Sequence, residues 1–416
     1  MIRSLIVTDP NSLKYPLKLI PSVQYYHWGV VGTHSLVAQF GKIQDTTEPC
    51  AELWYGAHSS APSSIEVESI EVGTETLPLT KLIQRYPEEI LGKELIKNFG
   101  PNLPFLFKIL SIAKPLSIQA HPDKKLSERF HLEDPEHYPD SNHKPEIGIA
   151  ASDVWLLYGF RPWSELKNLL KEFPEIKTLL SEGLQEELLG DDLDRGCIVK
   201  LWRSLLKSEH GDLKRALSSL KTRLEKQREL NSRERYLLKF YDEFGAGDVG
   251  IVLSLLMQMV HLIPGQAIFI PPNIPHAYLS GELMECMANS DNVVRVGLTP
   301  KYRDSERLLQ LLEQGVLSDD LEPKLLAFER DEATGNETIP LPVRDFSIQR
   351  FRGEFKVELP APSTLQLMVC VKGRVDLIVS DAKYSLMQGE ALIIPAAISK
   401  GEIVGADCEL FIVSVP

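Results

Sequence analysis

The sequence predicts a mainly β protein made of two small antiparallel jelly-roll barrels, with an all-helical insertion domain. The main observation is a pattern that occurs twice, in PGQAIFIPPNIPHAYLSG (264–281) and QGEALIIPAAISKGEIVG (388–405). Each copy runs from glycine, a polar residue and alanine through three apolar residues to proline, a short turn and a returning strand. Because this succession is typical of a jelly-roll hairpin, two copies about 125 residues apart indicate two barrels.

The stretch from about residue 15 to 150 has mainly the β-branched and alternating residues of strands. Examples are SLVAQFGKI (35–43), SIEVESIEV (64–72) and LSIQA (116–120). One interruption, LTKLIQRYPEEILGKELIKNF, has helical periodicity instead. Short strands return in QAIFIPPNIPHAYL and fill the last 75 residues, so β segments lie on both sides of a central block.

That central block, from about residue 163 to 248, has the periodicity of helices. SELKNLLKEF places its leucines on one face behind Ser164, which we take as the N-cap. Four further leucines recur every three or four residues: Leu213, Leu217, Leu220 and Leu224. Asn231 or Ser232 is the expected cap of the next helix. We therefore divide the chain into a first barrel in two parts, a helical insertion and a second barrel: 1–150 with 249–330, 151–248, and 331–416.

Length and charge limit the classes of function. A chain of 416 residues is long enough for two or three domains. Its net charge of -13 provides no overall basic field for nucleic acid or anionic lipid, so we expect neither as a partner. An anionic substrate would then have to meet a local cluster of lysine and arginine.

Cysteine usage and hydropathy bear on the compartment. The five cysteines contain no Cys-x-x-Cys pair, which indicates neither a disulfide framework nor a thiolate zinc site and suits the cytoplasm. The start, MIRSLIVTDPNS, has too short an apolar run for a signal peptide. The most apolar stretch, 251–263, is well short of the ~20 residues that a membrane span needs.

Three short segments carry candidate metal ligands. In SIQAHPD, Gln119 and His121 are two apart in a strand and would project from the same face, and both side chains can bind a borderline cation such as zinc. Glu146 opens an apolar strand, where a carboxylate needs a partner. Ordinary hydrogen bonds would also explain Gln119 and His121, and a salt bridge to Lys144 would explain Glu146. His276 follows Pro275 on the return side of the first hairpin pattern.

The segment ELMECMANSDNVVRVGLTPKYRD (282–304) is unusually rich in polar residues. They lie among small and apolar residues, outside any helical surface pattern: Glu285, Asn289, Asp291, Asn292, Arg295 and Lys301. A solvated loop is one explanation. Buried cations beside carboxylates would instead suit an anionic, polyhydroxylated ligand.

Together these segments resemble one family. PFLFKILSIAKPLSIQAHPDK, YPDSNHKPEIGIA, NIPHAYLSGELMECMANSDNVVRVGLTPKY and AELWYGAHSSAPS are similar to signature blocks of the type I phosphomannose isomerases, which have cupin barrels. The resemblance spans essentially the whole chain. The second barrel has Ile398 and Ser399 near the position of the first barrel's histidine and lacks Gln-x-His, so we expect it to be metal-free and structural.

The resemblance implies a reaction and roles for individual residues. It implies interconversion of mannose 6-phosphate and fructose 6-phosphate through a cis-enediol, in mannose and GDP-mannose metabolism, by a monomer with one Zn²⁺ per chain. The implied zinc ligands are Gln119, His121, Glu146 and His276. Other implied site residues, by chain order, are Lys108, Ser117, Lys144, Tyr278, Glu285, Asp291, Arg295 and Lys301. His27 departs from the family's usual Asp, and we expect it to be structural.

The implied mechanism assigns these residues to two tasks. Arg295 would stabilise the enediolate or assist proton transfer, with Lys144, Glu285 and Asp291 as the other catalytic groups; which residue is the base stays open. Ser117, Lys108 or Lys144 would meet the phosphate, and Tyr278 and Lys301 would also bind substrate. Two alternatives remain: another metal-dependent cupin enzyme, such as an oxygenase, and a non-catalytic sugar-phosphate sensor. The Gln ligand and the Lys and Arg surroundings speak against the first, and the presence of all ligands and Arg295 against the second.

Overall fold

The computed structural model describes residues 13–44, 47–69, 73–190, 195–316, 322–380 and 382–416. The amino-terminal segment considered as a signal peptide lies outside these residues, as do the last three residues of SIEVESIEV.

The described residues are mostly β-strands. In chain order they are β1 (Leu17–Ile20), β2 (Ser22–Gln24), β3 (Glu52–Gly56), β4 (Ser64–Ser69), β5 (Gly73–Pro78), β6 (Phe105–Ile112), β7 (Ile118–Ala120), β8 (Glu146–Ala150), β9 (Val154–Tyr158), β10 (Gln258–Leu262), β11 (Ala267–Ile270), β12 (His276–Ala288), β13 (Val294–Gly297), β14 (Lys324–Leu326), β15 (Glu329–Arg330), β16 (Glu337–Thr338), β17 (Ser347–Leu359), β18 (Gln366–Val379), β19 (Ala382–Met387), β20 (Ala391–Ile394) and β21 (Gly401–Ser414).

Helices connect the strands, and most of them lie between β9 and β10. The α-helices are α1 (Leu36–Phe40), α2 (Leu79–Arg85), α3 (Pro87–Leu91), α4 (Lys93–Phe99), α5 (Lys124–Glu133), α6 (Trp163–Leu166), α7 (Leu169–Glu172), α8 (Glu182–Leu189), α9 (Arg195–Leu206), α10 (His210–Leu224), α11 (Ser232–Phe244), α12 (Gly250–Leu253) and α13 (Ser305–Val316). Short 3-10 helices span Pro174–Leu179 and Ser254–Leu256.

The strands form two large antiparallel sheets. Within the described ranges, the first sheet has the main order β14-β11-β8-β12-β6-β3-β2, and β7, β9, β10 and β13 join it beside the first half of β12. The second sheet has the order β15-β16-β17-β21-β18-β20-β1-β4-β5, with β19 beside β18. The repeated sequence pattern forms the same strand–turn–strand unit twice, as β11–β12 in the first sheet and β20–β21 in the second.

One predicted strand is wrong. Within SLVAQFGKI the structure has the short helix α1 instead, and the hydroxyl of Ser35 accepts a hydrogen bond from the Ala38 N–H at 3.2 Å. This cap satisfies one of the free N–H groups of the first turn, which favours a helix. Val37, Ala38 and Phe40 are buried, so helical spacing accounts for the apolar residues that had suggested a strand.

The segment between β9 and β10 contains only helical elements in its described residues. The four leucines of α10 are buried, and Asn231 caps α11 in a capping box with Glu234. Ser164 is not an N-cap, however. α6 begins at Trp163, because the carbonyl of Pro162 already accepts from the N–H groups of Glu165 and Leu166 at 2.9 and 3.0 Å.

The apolar stretch 251–263 is divided between α12, a 3-10 turn and β10. None of the helices in the described ranges is long and apolar enough to cross a membrane. The five cysteines, all within the described residues, are buried and form no disulfide bond.

Candidate active site

In-register pairing in the first sheet aligns one row of the site. Lys108 on β6 lies directly opposite Trp54 on β3 and Glu285 on β12, and Glu285 lies opposite Gly148 on β8. Residues that face each other across antiparallel strands project to the same face. The lysine, the glutamate and the indole are therefore brought together by register alone, from three separate parts of the chain.

A second row comes from the first half of β12. His276 pairs with Gln119 on β7, and Gln119 pairs in turn with Arg295 on β13. Strand β12 takes part in both rows. It therefore aligns the row that contains His276 with the row that contains Lys108 and Glu285.

Glu146 lies between two histidines. Its two carboxylate oxygens are each 3.3 Å from an imidazole Nε2, one of His121 and the other of His276. All three side chains are buried, and their ligand atoms lie within 4.8 Å of one another. In the described part of the chain this is the group of histidine, cysteine and acidic residues that could hold a metal ion.

The other nitrogen of each imidazole fixes its tautomer. His121 Nδ1 is 2.8 Å from the carbonyl oxygen of Asn292, and His276 Nδ1 is 3.1 Å from that of Ile274. A carbonyl only accepts, so each Nδ1 carries a proton, and Nε2 is the nitrogen left to bind a metal ion. Such outer hydrogen bonds are the usual way in which proteins orient histidine ligands.

The residues fit a zinc ion. His121 Nε2 is fully buried, and the described residues offer it no hydrogen-bond donor. Burial lowers the pKa of His121 to about 4, so its lone pair faces a carboxylate oxygen of Glu146 without a proton between them. A cation makes that approach favourable, and tetrahedral zinc with bonds of about 2.0–2.1 Å separates its ligand atoms by about 3.3 Å.

Gln119 reaches the same point. Its amide nitrogen is 3.5 Å from His276 Nε2, and its amide oxygen accepts from the Ser117 hydroxyl at 3.4 Å. Rotating the amide by half a turn would present the oxygen to the three ligand atoms instead. The chain can therefore supply two imidazoles, a carboxylate and an amide oxygen as ligands.

A buried carboxylate pair surrounds Lys108. Its ammonium is 3.3 Å from Glu285 and 3.7 Å from Glu52, and it lies 5.0 Å from the ring centre of Trp54. Burial alone would lower the pKa of Lys108, but Glu52, Glu285 and Glu146 together raise it above its ordinary value. The lysine therefore stays protonated, and the carboxylates of Glu52 and Glu285 balance its positive charge.

Glu285 carries an unusual pKa for a glutamate. Burial, together with the nearby charge of Glu146, raises its pKa to about 7, although Lys108 acts in the opposite direction. A carboxyl group with a pKa near neutrality can both accept and return a proton at physiological pH.

Lys144 and Asp291 are held by partners beside this row. The Lys144 ammonium is 3.6 Å from Glu146, and burial lowers the lysine's pKa. Asp291 lies 3.3 Å from Nε2 of the buried His58. The Ser60 N–H donates to His58 Nδ1 at 3.3 Å, so Nε2 carries the proton and donates to the carboxylate. Burial would raise the pKa of Asp291, but this hydrogen bond and the nearby lysines lower it.

Arg295 and Lys301 differ from the buried Lys108 and Lys144 in their partners. For neither residue does the described part of the chain provide an ion pair, and the Lys301 ammonium lies 5.2 Å from the ring centre of Tyr26. Burial lowers the pKa of both groups, with Arg295 as a further cause for Lys301. Both therefore gain from an anionic ligand.

Tyr278 reaches the cavity through a gap in β8. A Cβ on Gly148 would lie 2.5 Å from the Tyr278 hydroxyl oxygen, so glycine leaves the room that the phenol needs. The buried hydroxyl has no hydrogen-bond partner among the described residues and faces the site.

The structure brings the sequence-predicted residues together. Ten line one cavity: Lys108, Ser117, Gln119, Lys144, Glu146, Tyr278, Glu285, Asp291, Arg295 and Lys301. The other two, His121 and His276, are buried next to Glu146. His27 is exposed and also lines the cavity.

Sequence reasoning missed Glu52 and His58. Glu52 is 6% exposed, and the Trp54 indole N–H donates to its carboxylate. The available signal was a glutamate inside the apolar run of AELWYG, since a buried carboxylate needs a partner. His58 left no such signal, because its partner Asp291 is more than 200 residues away.

Two antiparallel sheets with a buried His/Glu/His cluster beside a cavity define a cupin-class protein with a candidate metal centre. Two family models agree in detail: phosphomannose isomerase type I, catalytic domain, matches residues 17–163, and mannose-6-phosphate isomerase, cupin domain, matches residues 336–415. The chain belongs to the type I phosphomannose isomerase family.

Individual relatives cover most of the chain. Mannose-6-phosphate isomerase 2 from Arabidopsis thaliana is 34% identical over 90% of this chain and 88% of its own length. Mannose-6-phosphate isomerase from Rattus norvegicus is 38% identical over 73% of this chain and 74% of its own.

Solved structures of the family have the same fold. A single-residue mutant of phosphomannose isomerase from Salmonella typhimurium superimposes with a TM-score of 0.83 at 31% identity, covering 96% of this chain and 99% of its own. A zinc-bound mannose 6-phosphate isomerase gives a TM-score of 0.81 at 31% identity over the same shares.

Proposed function

We propose that this chain interconverts mannose 6-phosphate and fructose 6-phosphate, using one zinc ion held by Gln119, His121, Glu146 and His276. The observation that carries the proposal is the buried cluster in which each carboxylate oxygen of Glu146 lies 3.3 Å from an imidazole Nε2. Family membership and zinc-bound structural relatives support both the reaction and the metal.

Contacts within the protein orient the side chains that would bind the metal ion. Backbone carbonyls of Asn292 and Ile274 hold the two imidazoles, and Lys144 holds Glu146. Bound there, zinc supplies a Lewis acid and an open coordination position for substrate oxygens. One carboxylate among neutral ligands leaves the centre with a net positive charge, which suits developing negative charge on oxygen.

Glu285 is the best candidate for proton transfer. Isomerisation removes the proton from C2 of the open-chain aldose, forms a cis-enediol and returns a proton to C1. One group on one face can perform both steps, and a pKa of about 7 suits it to both. Lys108, 3.3 Å away, holds the carboxylate in place and stabilises its charged form.

The cationic side chains have different roles in the proposed reaction. Lys108 and Lys144 already contact carboxylates, so neither is well placed to neutralise a phosphate. Arg295 and Lys301 suit an anion better, and we assign the phosphate to Lys301 and the Ser117 hydroxyl. Arg295, next to Gln119 in the sheet register, would stabilise the enediolate. Asp291 and Tyr278 would orient substrate hydroxyls.

Other features of the function follow from the resemblance. We propose that each sheet closes around its own core as a cupin barrel, with residues 151–248 as a helical insertion in the first barrel. We also propose a cytoplasmic monomer that serves mannose and GDP-mannose metabolism. Five buried cysteines that form no disulfide bond are compatible with a reducing compartment.

A coupled assay with mannose 6-phosphate tests the proposal. Purified protein is measured as isolated, after chelation, and after zinc is restored, with bound zinc quantified each time. Activity should disappear with the metal and return with one zinc per chain. In Glu146→Gln, zinc content and turnover should both fall. A folded, zinc-loaded wild-type protein without turnover would overturn the assignment.

A further inference from the structure

Asp248 connects the helical segment to the loop that follows β13 and carries Lys301, one of the site's cations. It is buried, at 7% exposure, and lies between α11 and α12. One carboxylate oxygen, Oδ1, accepts hydrogen bonds from the backbone N–H of Gly250 at 2.7 Å and of Leu298 at 2.8 Å. The other oxygen lies 3.6 Å from the Arg303 guanidinium. The Asp248 carboxylate thus joins the start of α12 to a backbone segment about 50 residues further along the chain.

The backbone at Leu298 needs this support. Leu298 has a φ of +54°, in the left-handed region that a bulky side chain seldom adopts. A residue in this conformation stores strain that its surroundings must offset. Here the Leu298 N–H donates to a buried carboxylate, a stronger interaction than a hydrogen bond between neutral groups.

Two glycines bring the segments into direct contact. A Cβ on Gly297 would lie 2.4 Å from the Gly250 Cα, and a Cβ on Gly250 would lie 2.5 Å from the Leu298 nitrogen. The start of α12 and the end of β13 therefore touch through bare backbone. Neither segment can shift without moving the other.

The loop from Arg295 to Asp304 is held at its ends as well. The Asp304 N–H donates to the Arg295 carbonyl at 2.9 Å, which closes the loop on itself. Within it, the Lys301 N–H donates to the Thr299 hydroxyl at 3.1 Å. Leu298, Thr299 and Lys301 line the active-site cavity. Of the described residues, Asp248 is the one that ties this loop's turn to the helical segment through a side-chain acceptor.

We infer that Asp248 is a positioning residue, through which the helical segment sets the placement of Lys301 for the sugar phosphate. This inference rests on the proposed isomerase function. Loss of the Oδ1 acceptor would release the left-handed turn at Leu298 and let the loop after β13 relax, so Lys301 would leave its position at the cavity, whereas Arg295 is held by its pairing with Gln119. The helical segment then has a part in catalysis without touching substrate.

Replacing Asp248 in two ways separates positioning from mere stability. Asp248→Ala removes the acceptor, whereas Asp248→Asn keeps an amide oxygen for both N–H groups and loses only charge. Arg303→Ala, at an exposed residue, is the control for the second oxygen. Each zinc-loaded variant is measured for kcat, KM and melting temperature, together with the thermal shift that inorganic phosphate produces.

We expect Asp248→Ala to raise KM for mannose 6-phosphate about tenfold or more and to weaken the phosphate-induced thermal shift, because one lost ligand contact is worth roughly a factor of ten. Asp248→Asn and Arg303→Ala should stay within about threefold of the wild type. If Asp248→Ala does not fold, Asp248→Ser takes its place, since a serine hydroxyl is too short to reach both N–H groups.

A folded acceptor-free variant with wild-type KM, kcat and phosphate response would overturn the inference, whatever its melting temperature. Equal losses in Asp248→Ala and Asp248→Asn would also overturn it, because the acceptor would then be irrelevant. Failure of the isomerase proposal is distinct, since the zinc-loaded wild type itself would show no turnover.

Discussion

Lys108 and Glu285 face each other in register on β6 and β12, and their charged groups lie 3.3 Å apart in a buried site. Glu52, on the other side of the lysine, completes a group of two carboxylates around one ammonium. Because two acids share one base, a single lysine cannot fully stabilise both as anions. Burial and then the charge of Glu146 raise the pKa of Glu285 to about 7, with Glu52 as a further cause, which suits this glutamate to the proton transfer that we propose for it.

Replacing Glu285 by Gln should lower kcat by about 100-fold or more, since general acid–base catalysis is worth roughly 10²–10⁴-fold. The amide fills the same volume beside Lys108 but cannot accept a proton. In the wild type, kcat should rise with pH as Glu285 loses its proton, and this rise should be absent from Glu285→Gln. Steady-state kinetics on zinc-loaded protein from pH 5.5 to 8.5 provide the measurement. A kcat within threefold of the wild type would remove Glu285 from the chemistry.

Lys301→Ala and Arg295→Ala should differ in the kinetic constant that they change. In the proposed function Lys301 binds the phosphate in both ground and transition states, so its loss should raise KM about tenfold with little change in kcat. Arg295 is proposed to act on charge that develops during the reaction, so its loss should lower kcat by about 100-fold. Lys97→Ala, at an exposed lysine on α4, controls for loss of one positive charge. Unchanged kcat in folded, zinc-loaded Arg295→Ala would contradict its assignment.

The sequence allowed much of the fold to be predicted where one local signal was decisive. Leucine spacing indicated α10, and Asn231 or Ser232 was the expected cap of α11, of which the structure selects Asn231. SLVAQFGKI misled because a five-residue helix and a short strand bury similar numbers of apolar residues. Ser35, the cap that decides for helix, is evident only once its partner N–H is known.

The sequence indicated many of the residues that line the candidate site, apart from Glu52 and His58, but it did not indicate how they pair. Glu146 was detectable because a carboxylate opening an apolar strand needs a cation. The meeting of Lys108 with Glu52 and Glu285 depends on how three distant strands align, and no local pattern records that register. For the same reason the sequence could suggest Ser117, Lys108 or Lys144 for the phosphate, but it could not show that two carboxylates contact the Lys108 ammonium.

Gly148→Ala should disturb the site through Tyr278. The new methyl group would lie 2.5 Å from the Tyr278 hydroxyl oxygen in a buried space, so the ring must shift. Overpacking of this kind costs about 1–3 kcal/mol of stability, and activity should fall as well. Tyr278→Phe removes the clashing oxygen, so the double variant should recover most of the stability lost in Gly148→Ala.

Urea unfolding of the wild type, both single variants and the double variant measures the coupling free energy. Strictly additive effects would show that Gly148 is needed for another reason. Activity adds a second comparison, because the double variant should regain stability while still lacking the hydroxyl that faces the cavity.

Glu390 should stabilise the protein in a pH-dependent way. It lies at the start of β20 and contacts Lys18 on β1 at 3.2 Å and Lys42 at 2.8 Å, and it accepts from the Met387 N–H at 3.0 Å. Burial would raise its pKa, but these three contacts lower it to about 2. A carboxyl whose folded pKa is below its unfolded value of 4.5 contributes stability above pH 4.5, and this contribution is lost as pH falls toward 2.

Glu390→Gln should therefore reduce the free energy of unfolding by about 1 kcal/mol at pH 7, a modest value because solvent around Lys42 screens that pair. At pH 3.5 the difference from the wild type should be clearly smaller, since the unfolded wild-type carboxyl is then largely protonated. Glu402→Gln is the control, because its pair with Lys356 is more exposed and should contribute little at either pH. Urea unfolding at the two pH values provides the comparison. An equal loss at pH 7 and pH 3.5 would mean that Glu390 acts through packing rather than charge.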